Sequence, residues 1–86
     1  MSDSLPPDSP NGVADAVAFI TSAASVLIAQ KWGVRAPTVH KALSTPEAVA
    51  VTTTRYLLAL GAGKTPAEAA GDVGRSLLAD ANQRAA

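Results

Sequence analysis

The chain has 86 residues, enough for one small domain, and its seven basic and seven acidic side chains cancel to a formal net charge of zero. This balance excludes a general electrostatic attraction to nucleic acid or anionic membranes, and the absence of cysteine excludes disulfide scaffolds, thiolate metal sites and cysteine nucleophiles. The apolar share is 48%, but 19 of these residues are alanine, which favours helix and buries little area. We therefore expect a small core that gains stability from self-association or from a partner.

Residues 1–12, MSDSLPPDSPNG, carry three prolines and little apolar content. This composition predicts a disordered tail that precedes a single helical domain over residues 13–86. The tail lacks a basic region followed directly by an apolar run, so it does not resemble a secretory signal, and a cytoplasmic location is favoured.

A helix is predicted from Val13 to about Lys31, because apolar residues recur there at spacings of three and four. Its expected core stripe consists of Val13, Val17, Ile20, Ala24, Leu27 and Ile28. A second apolar flank consists of Phe19, Ala23 and Val26, and the polar wedge of Asp15, Thr21, Ser22 and Ser25. Two apolar flanks predict either the central helix of the domain or an oligomer seam, and Gly33 is the expected stop.

Three further helices are expected, each starting at a proline, which is favoured at the first helical position. They cover Pro37–Leu43, Pro46–Leu60 and Pro66–Gln83. Thr45 and Thr65 precede two of these prolines and are good N-caps. The β-branched run Val49–Thr54 is also compatible with a strand, but Thr45 and Gly61 bracket a segment of helical length, and helix is favoured. The fold class is therefore all-α, a small bundle or orthogonal array of three to four short helices.

The stretch LGAGKTPAEAA, residues 60–70, contains the Gly-Lys-Thr triplet of phosphate-binding loops. Such a loop needs G-x-x-x-x-G-K-[ST] after a buried strand, so that backbone N–H groups point at the phosphates. Position 58 would have to be glycine and is Leu58, and the preceding segment is predicted to be helical. The residues fit a turn at Gly63 and a capping box formed by Thr65 and Glu68, which argues against nucleotide binding.

The segment 31–44 has no acidic residue and contains Lys31, Arg35, His40 and Lys41 beside Trp32. One interpretation is a contact surface for an anionic partner. The other is a helix C-terminus, where the dipole favours cations, with Trp32 packed into the core. His40 is the single histidine, so the chain has no second imidazole for a metal site, and a solvated role is expected.

A membrane interpretation of the helix at 13–31 is an alternative for function. Ala16–Gln30 is uncharged, but it covers about 15 residues, whereas a transmembrane helix needs about 20. Small residues recur four apart at Ala14, Ala18 and Ser22, a spacing that lets helices approach closely. The sequence therefore favours a helix that packs against other helices over one that spans a bilayer.

The segment GKTPAEAAGDVGRSLLADANQRA, from Gly63, resembles the helix-turn-helix unit of DNA-binding regulators. Its Glu-Ala-Ala, Val-Gly and Ser fall roughly where such units place the first helix, the turn and the start of the recognition helix. The resemblance implies a DNA-binding protein that contacts its site through Arg75 and Arg84. The implied recognition helix departs from the pattern, because Arg84 is its single basic residue and it carries Asp80. DNA binding is therefore kept as an alternative.

No cluster of catalytic residue types occurs in the sequence, so no catalytic, cofactor or metal site is expected. The favoured function is a non-catalytic helical subunit or adaptor that acts through protein–protein contact, with a partner or with itself as a homo-oligomer. Nucleic acid and membrane are the less favoured partners. The expected contact residues are Phe19 and Val26 as an apolar seam, Trp32 as an anchor, and Lys31 and Arg35 as a rim.

Overall fold

The computed structural model describes residues 10–85, which form four helices and, within that range, no strand. The helices are α1 (Pro10–Trp32), α2 (Ala36–Leu43), α3 (Pro46–Gly61) and α4 (Pro66–Ala85). The all-α prediction is confirmed, and the run Val49–Thr54 is helical within α3. The predicted tail lies outside the described residues up to position 9.

The first helix starts earlier than its apolar pattern predicted. Residues 10–12 were assigned to the tail, but α1 begins at Pro10 and runs for 23 residues. A proline at the first helical position loses no intrahelical hydrogen bond, so Pro10 can begin the helix. The apolar pattern does not detect this start, because the apolar positions begin only at Val13.

Helix α1 is the central element, because it packs against α2, α3 and α4. The buried core residues are Val17, Ile20, Ala24, Ile28, Ala29, Val39, Tyr56, Ala69, Val73 and Leu77. Four of the six residues in the predicted core stripe of α1 are among them. Leu27 is a wrong prediction, since it is 50% exposed. The buried positions of α1 repeat every four residues from Val17 and from Ile20, and Leu27 falls on neither row.

The predicted polar wedge of α1 is also partly wrong, since Thr21 and Ser25 are buried. Ser25 Oγ donates to the carbonyl oxygen of Thr21 at 2.6 Å, so its hydroxyl is satisfied inside the helix. Thr52 of α3 is buried in the same way and donates to the carbonyl of Ala48 at 3.0 Å. A small hydroxyl side chain that bonds to its own helix can face the core without an unpaired polar group.

The helix ends follow the capping signals in the sequence. Gly33 has a φ of +68°, and the N–H of Val34 donates to the carbonyl of Ala29 at 3.0 Å, which closes α1 as a Schellman motif. Gly63, with a φ of +93°, ends the turn after α3 in the same way. These two glycines hold the left-handed conformation that other residues adopt at a cost.

Both predicted threonine caps are present. Thr45 Oγ accepts from the N–H of Ala48 at 3.2 Å. Thr65 Oγ accepts from the N–H of Glu68 at 3.2 Å, and Glu68 Oε1 accepts from the N–H of Thr65 at 3.0 Å. This reciprocal pair is the predicted capping box, so the Gly-Lys-Thr triplet lies between two helices and not after a strand.

Candidate functional site

One side of α1 is exposed within the described residues and combines apolar with uncharged polar side chains and one acidic residue. We define the α1 outer face as Asp15, Phe19, Ser22, Ala23, Val26 and Gln30, all of which are exposed. Phe19 is 67% exposed and Val26 is 47% exposed. The two residues predicted as an apolar seam therefore lie on one face, turned away from the core.

The α1 outer face matters because of the position of α1 in the molecule. A helix of 23 residues is about 34 Å long, and the longest dimension of the molecule is 40 Å. The exposed positions from Asp15 to Gln30 span about 22 Å of this helix. Between Asp15 and Lys31 this helix carries no charged side chain. A continuous uncharged surface of this kind is typical of an interaction site.

The same helix meets the length and composition criteria for a membrane span. The stretch Gly12–Trp32 is long and apolar enough to cross a bilayer, and less than half of it is buried in the fold. The central helix of a small helical domain can meet the same criteria, because its inner side needs apolar residues for the core. The inner side of α1 is covered by three helices, and its exposed apolar surface is divided between the outer face and the flanking residues Leu27 and Trp32.

The structure separates the basic segment into two surfaces. Trp32 is 43% exposed and lines a groove of about 590 Å³ between the four helices, together with Val34. His40 and Lys41 line an open groove between α1 and α2, which also contains Val26. The predicted anchor Trp32 therefore does not lie in the same groove as His40 and Lys41.

The groove at Trp32 was not predicted from the sequence. Its floor consists of the core residues Ile28, Val39 and Leu77, and Glu47 and Arg84 lie among its polar lining residues. The lining residues come from all four helices, and no spacing in the sequence indicates that these positions meet. The groove is a feature of the tertiary structure, because it forms where the end of α1 meets the start of α3 and the end of α4.

A second apolar surface was also missed. Leu58 of α3 is 69% exposed, and Leu57 and Val51 are also exposed. Leu57 and Leu58 lie next to Tyr56, which supplies the buried aromatic side chain of this turn of α3. Leu58 gives a matched comparison for Phe19, since the two side chains are exposed to nearly the same extent.

Lys31, Arg35 and Lys41 of the basic segment form no ion pair within residues 10–85. The ion pairs in that range involve Arg55, Lys64 and Arg75. Arg55 pairs with Asp80 at 2.8 Å and also donates to Ser76 Oγ at 3.0 Å, which links α3 to α4. Asp72 accepts hydrogen bonds from Lys64 and Arg75. Asp72, Arg75 and Asp80 of α4 thus take part in contacts that hold the fold, whereas Lys31 and Arg35 have no ion pair within residues 10–85.

Asp72 is the described carboxylate with the most perturbed titration. The hydrogen bond from Lys64 is the main cause that lowers the pKa of Asp72 below its ordinary value, and Arg75 adds to the effect. Both cations favour the ionised carboxylate. This cluster is exposed and links the turn before α4 to the first turns of α4, so its role is local stabilisation.

His40 is exposed at the end of α2. Ser44 Oγ donates to the carbonyl oxygen of His40 at 2.7 Å and lies 3.3 Å from its Nδ1. Within the described residues, no group of three or more histidine or acidic side chains is arranged to hold a metal ion. Ser44 therefore contacts both the backbone and the imidazole of His40, which is a local arrangement at the end of α2.

The helix-turn-helix resemblance is wrong in its structural expectation. It requires a turn near Val73 and Gly74, but residues 66–85 form one continuous helix. Arg75, expected near that turn, bonds to Asp72 within α4. Glycine in a helix interior costs about 1 kcal/mol relative to alanine. The combined cost at Gly71 and Gly74 does not break α4, whose 20 residues continue through both positions.

Comparison with known protein families, with curated proteins and with solved structures finds no match for this chain.

Proposed function

We propose that this protein is a non-catalytic helical subunit that associates with itself through the α1 outer face. The observation that carries the proposal is the exposure of Phe19 and Val26 on the central helix, which has no charged side chain between Asp15 and Lys31. Apolar side chains grouped on one face and flanked by polar residues are typical of protein-contact surfaces. Asp15 and Gln30 supply such polar flanks at the two ends of this face.

The proposal is non-catalytic because the acidic side chains with defined contacts have structural roles. Asp72 and Asp80 form ion pairs, and Glu68 caps α4. A general acid or base needs a side chain that can exchange a proton with a bound substrate. These three carboxylates are already engaged at helix ends or between helices.

The size of the α1 outer face indicates a reversible association. Burying one large apolar side chain contributes roughly 1.5 to 3 kcal/mol. Phe19 is 67% exposed and Val26 47% exposed, so the area still open on two copies of each would contribute about 3 to 7 kcal/mol on this scale. Association costs about 4 to 15 kcal/mol in lost freedom of motion. Because the two ranges overlap, we expect an equilibrium between free and associated chains that shifts with concentration.

The test is the solution mass of the full chain, measured by light scattering on a sizing column over a tenfold range of concentration. We expect a mass above that of the monomer which rises with concentration. Phe19→Asp should shift the chain to the monomer, because it places a charge in the seam. Leu58→Asp is the matched control and should leave the mass unchanged.

Two outcomes would contradict the proposal. One is a wild-type chain that stays monomeric over the whole range. The other is an oligomer that Phe19→Asp leaves intact while circular dichroism shows that the variant is folded. In that second case the contact surface lies elsewhere, and the effect of Leu58→Asp would show whether α3 supplies it.

A membrane-associated function is the second candidate, and the apolar length of α1 favours it. It predicts that the chain sediments with neutral phosphatidylcholine vesicles and that Phe19→Asp abolishes this binding. Self-association in the absence of lipid is not part of that prediction. The light-scattering mass therefore separates the two candidates before any vesicle is added.

A further inference from the structure

We infer that the α1 outer face is occupied by the same face of a second copy, with the two α1 helices antiparallel about a two-fold axis that passes between Ser22 and Ala23. This inference rests on the proposed self-association and specifies its geometry. A two-fold contact uses the same patch on both copies, so the patch has to be complementary to itself. The six positions of the α1 outer face meet this requirement, whereas the exposed Leu27 lies beside them on the flank of the helix.

The positions of the α1 outer face are spaced symmetrically along the helix about a midpoint between residues 22 and 23. The positions are 15, 19, 22, 23, 26 and 30. Reversal about the midpoint between 22 and 23 exchanges Phe19 with Val26, Ser22 with Ala23, and Asp15 with Gln30. Each exchange pairs like with like: large apolar with large apolar, small with small, and polar with polar. Antiparallel pairing therefore aligns each position of the face with a position of the same class in the other copy.

The centre of the face is built for close approach. Ser22 and Ala23 are small and exposed, so two helix backbones can come near each other there. The exposed positions of α1 also recur every four residues, as in the row Ala18, Ser22 and Val26. Rows at this spacing form the ridges of the commonest helix packing, in which the axes cross at about −50°. Contact is then concentrated in the central turns, where Phe19 and Val26 flank the small residues.

The charges at the two ends of α1 favour the antiparallel direction. Asp15 lies near the start of the helix, and no further acidic residue occurs before Glu47. Lys31 and Arg35 lie at the other end and take part in no ion pair within residues 10–85. Antiparallel pairing brings Asp15 of each copy towards the cationic end of the other. Parallel pairing would bring like charges together at both ends.

Single-cysteine variants test this geometry directly, because the natural chain has no cysteine. A disulfide requires Cα atoms closer than about 7 Å. Ser22→Cys lies next to the proposed axis, so we expect it to form a disulfide-linked dimer under mild oxidation. Val26→Cys should not link to itself, because its two copies would lie about 10 Å apart along the helix direction. In a parallel pair, both variants would link to themselves.

A mixture of two variants gives the positive control for direction. Phe19→Cys and Val26→Cys should each stay unlinked alone and should form a linked dimer when mixed. A linked dimer of Val26→Cys alone would overturn the antiparallel arrangement. An oligomeric mass without any Ser22→Cys linkage would also overturn it and would leave self-association standing. A monomeric mass with no linkage would remove both the inference and the proposed function on which it rests.

Discussion

The charged side chains of this protein fall into two groups that differ in what they contact. Asp72 is bonded by Lys64 and Arg75, and Asp80 by Arg55, so these residues stabilise the turn before α4 and the contact between α3 and α4. Lys31 and Arg35, at the end of α1, make no ion pair within the described part of the chain. The first group belongs to folding and the second is available for association.

Asp72 predicts a pH dependence of stability with a definite sign. Its pKa is lowered in the folded state, chiefly by the hydrogen bond from Lys64, so its contribution is present above the unfolded pKa of about 3.9 and is lost as pH falls through the lower folded pKa. Asp72→Asn should therefore lower the melting temperature slightly at pH 6. It should also weaken the loss of stability below about pH 4.

The measurement is thermal unfolding by circular dichroism from pH 6 down to pH 2.5, for the wild type and Asp72→Asn. Asp15→Asn is the control, because Asp15 makes no ion pair within residues 10–85. If both variants showed the same pH profile as the wild type, the cluster around Asp72 would make no contribution to folding.

Among the helices, the predicted starts and stops were more reliable than the predicted faces. Proline and threonine signals act within one turn of chain, so the caps at Thr45 and Thr65 could be predicted from the sequence. The burial of Thr21 and the exposure of Leu27 depend on where α2, α3 and α4 lie against α1. That arrangement belongs to the tertiary structure. Hydrophobicity alone predicts that Leu27 is buried and Thr21 exposed, which is the reverse of what is observed.

The candidate site shows the same division. The apolar flank of Phe19 and Val26 could be predicted, because it is a periodic feature of one helix. The separation of Trp32 from Lys41 could not, because it depends on the two sides of α2 facing different grooves. The residues of the basic segment are close together in the sequence, which predicts one continuous surface. The turn at Gly33 separates them in space.

The capping box of α4 predicts a stability effect at this scale. Thr65→Ala removes the acceptor for the N–H of Glu68 and should lower the free energy of unfolding by about 0.5 to 2 kcal/mol. Thr54→Ala is the matched control, because Thr54 is exposed in the middle of α3, and alanine favours helix there. Urea unfolding gives both values, and an equal effect of the two substitutions would show that the cap is not stabilising.

The whole molecule is elongated, and α1 is its longest helix. With dimensions of 40 × 26 × 21 Å, the fold packs three helices against α1, and within residues 10–85 the outer face of α1 stays exposed. A second copy on that side would complete the burial of α1. Folding and association would then be linked, because a contact made only by the folded chain stabilises the folded state.

This linkage predicts that thermal stability depends on protein concentration. The melting temperature of the wild type should rise as the concentration is raised a hundredfold, because mass action favours the associated, folded state. Phe19→Asp should remove this dependence, since it prevents association, whereas Leu58→Asp should retain it with an unchanged slope. Differential scanning calorimetry at matched scan rates measures all three chains. A wild-type melting temperature that stays constant over this range would mean that α1 is stable with its outer face in water, and that association adds nothing to the fold.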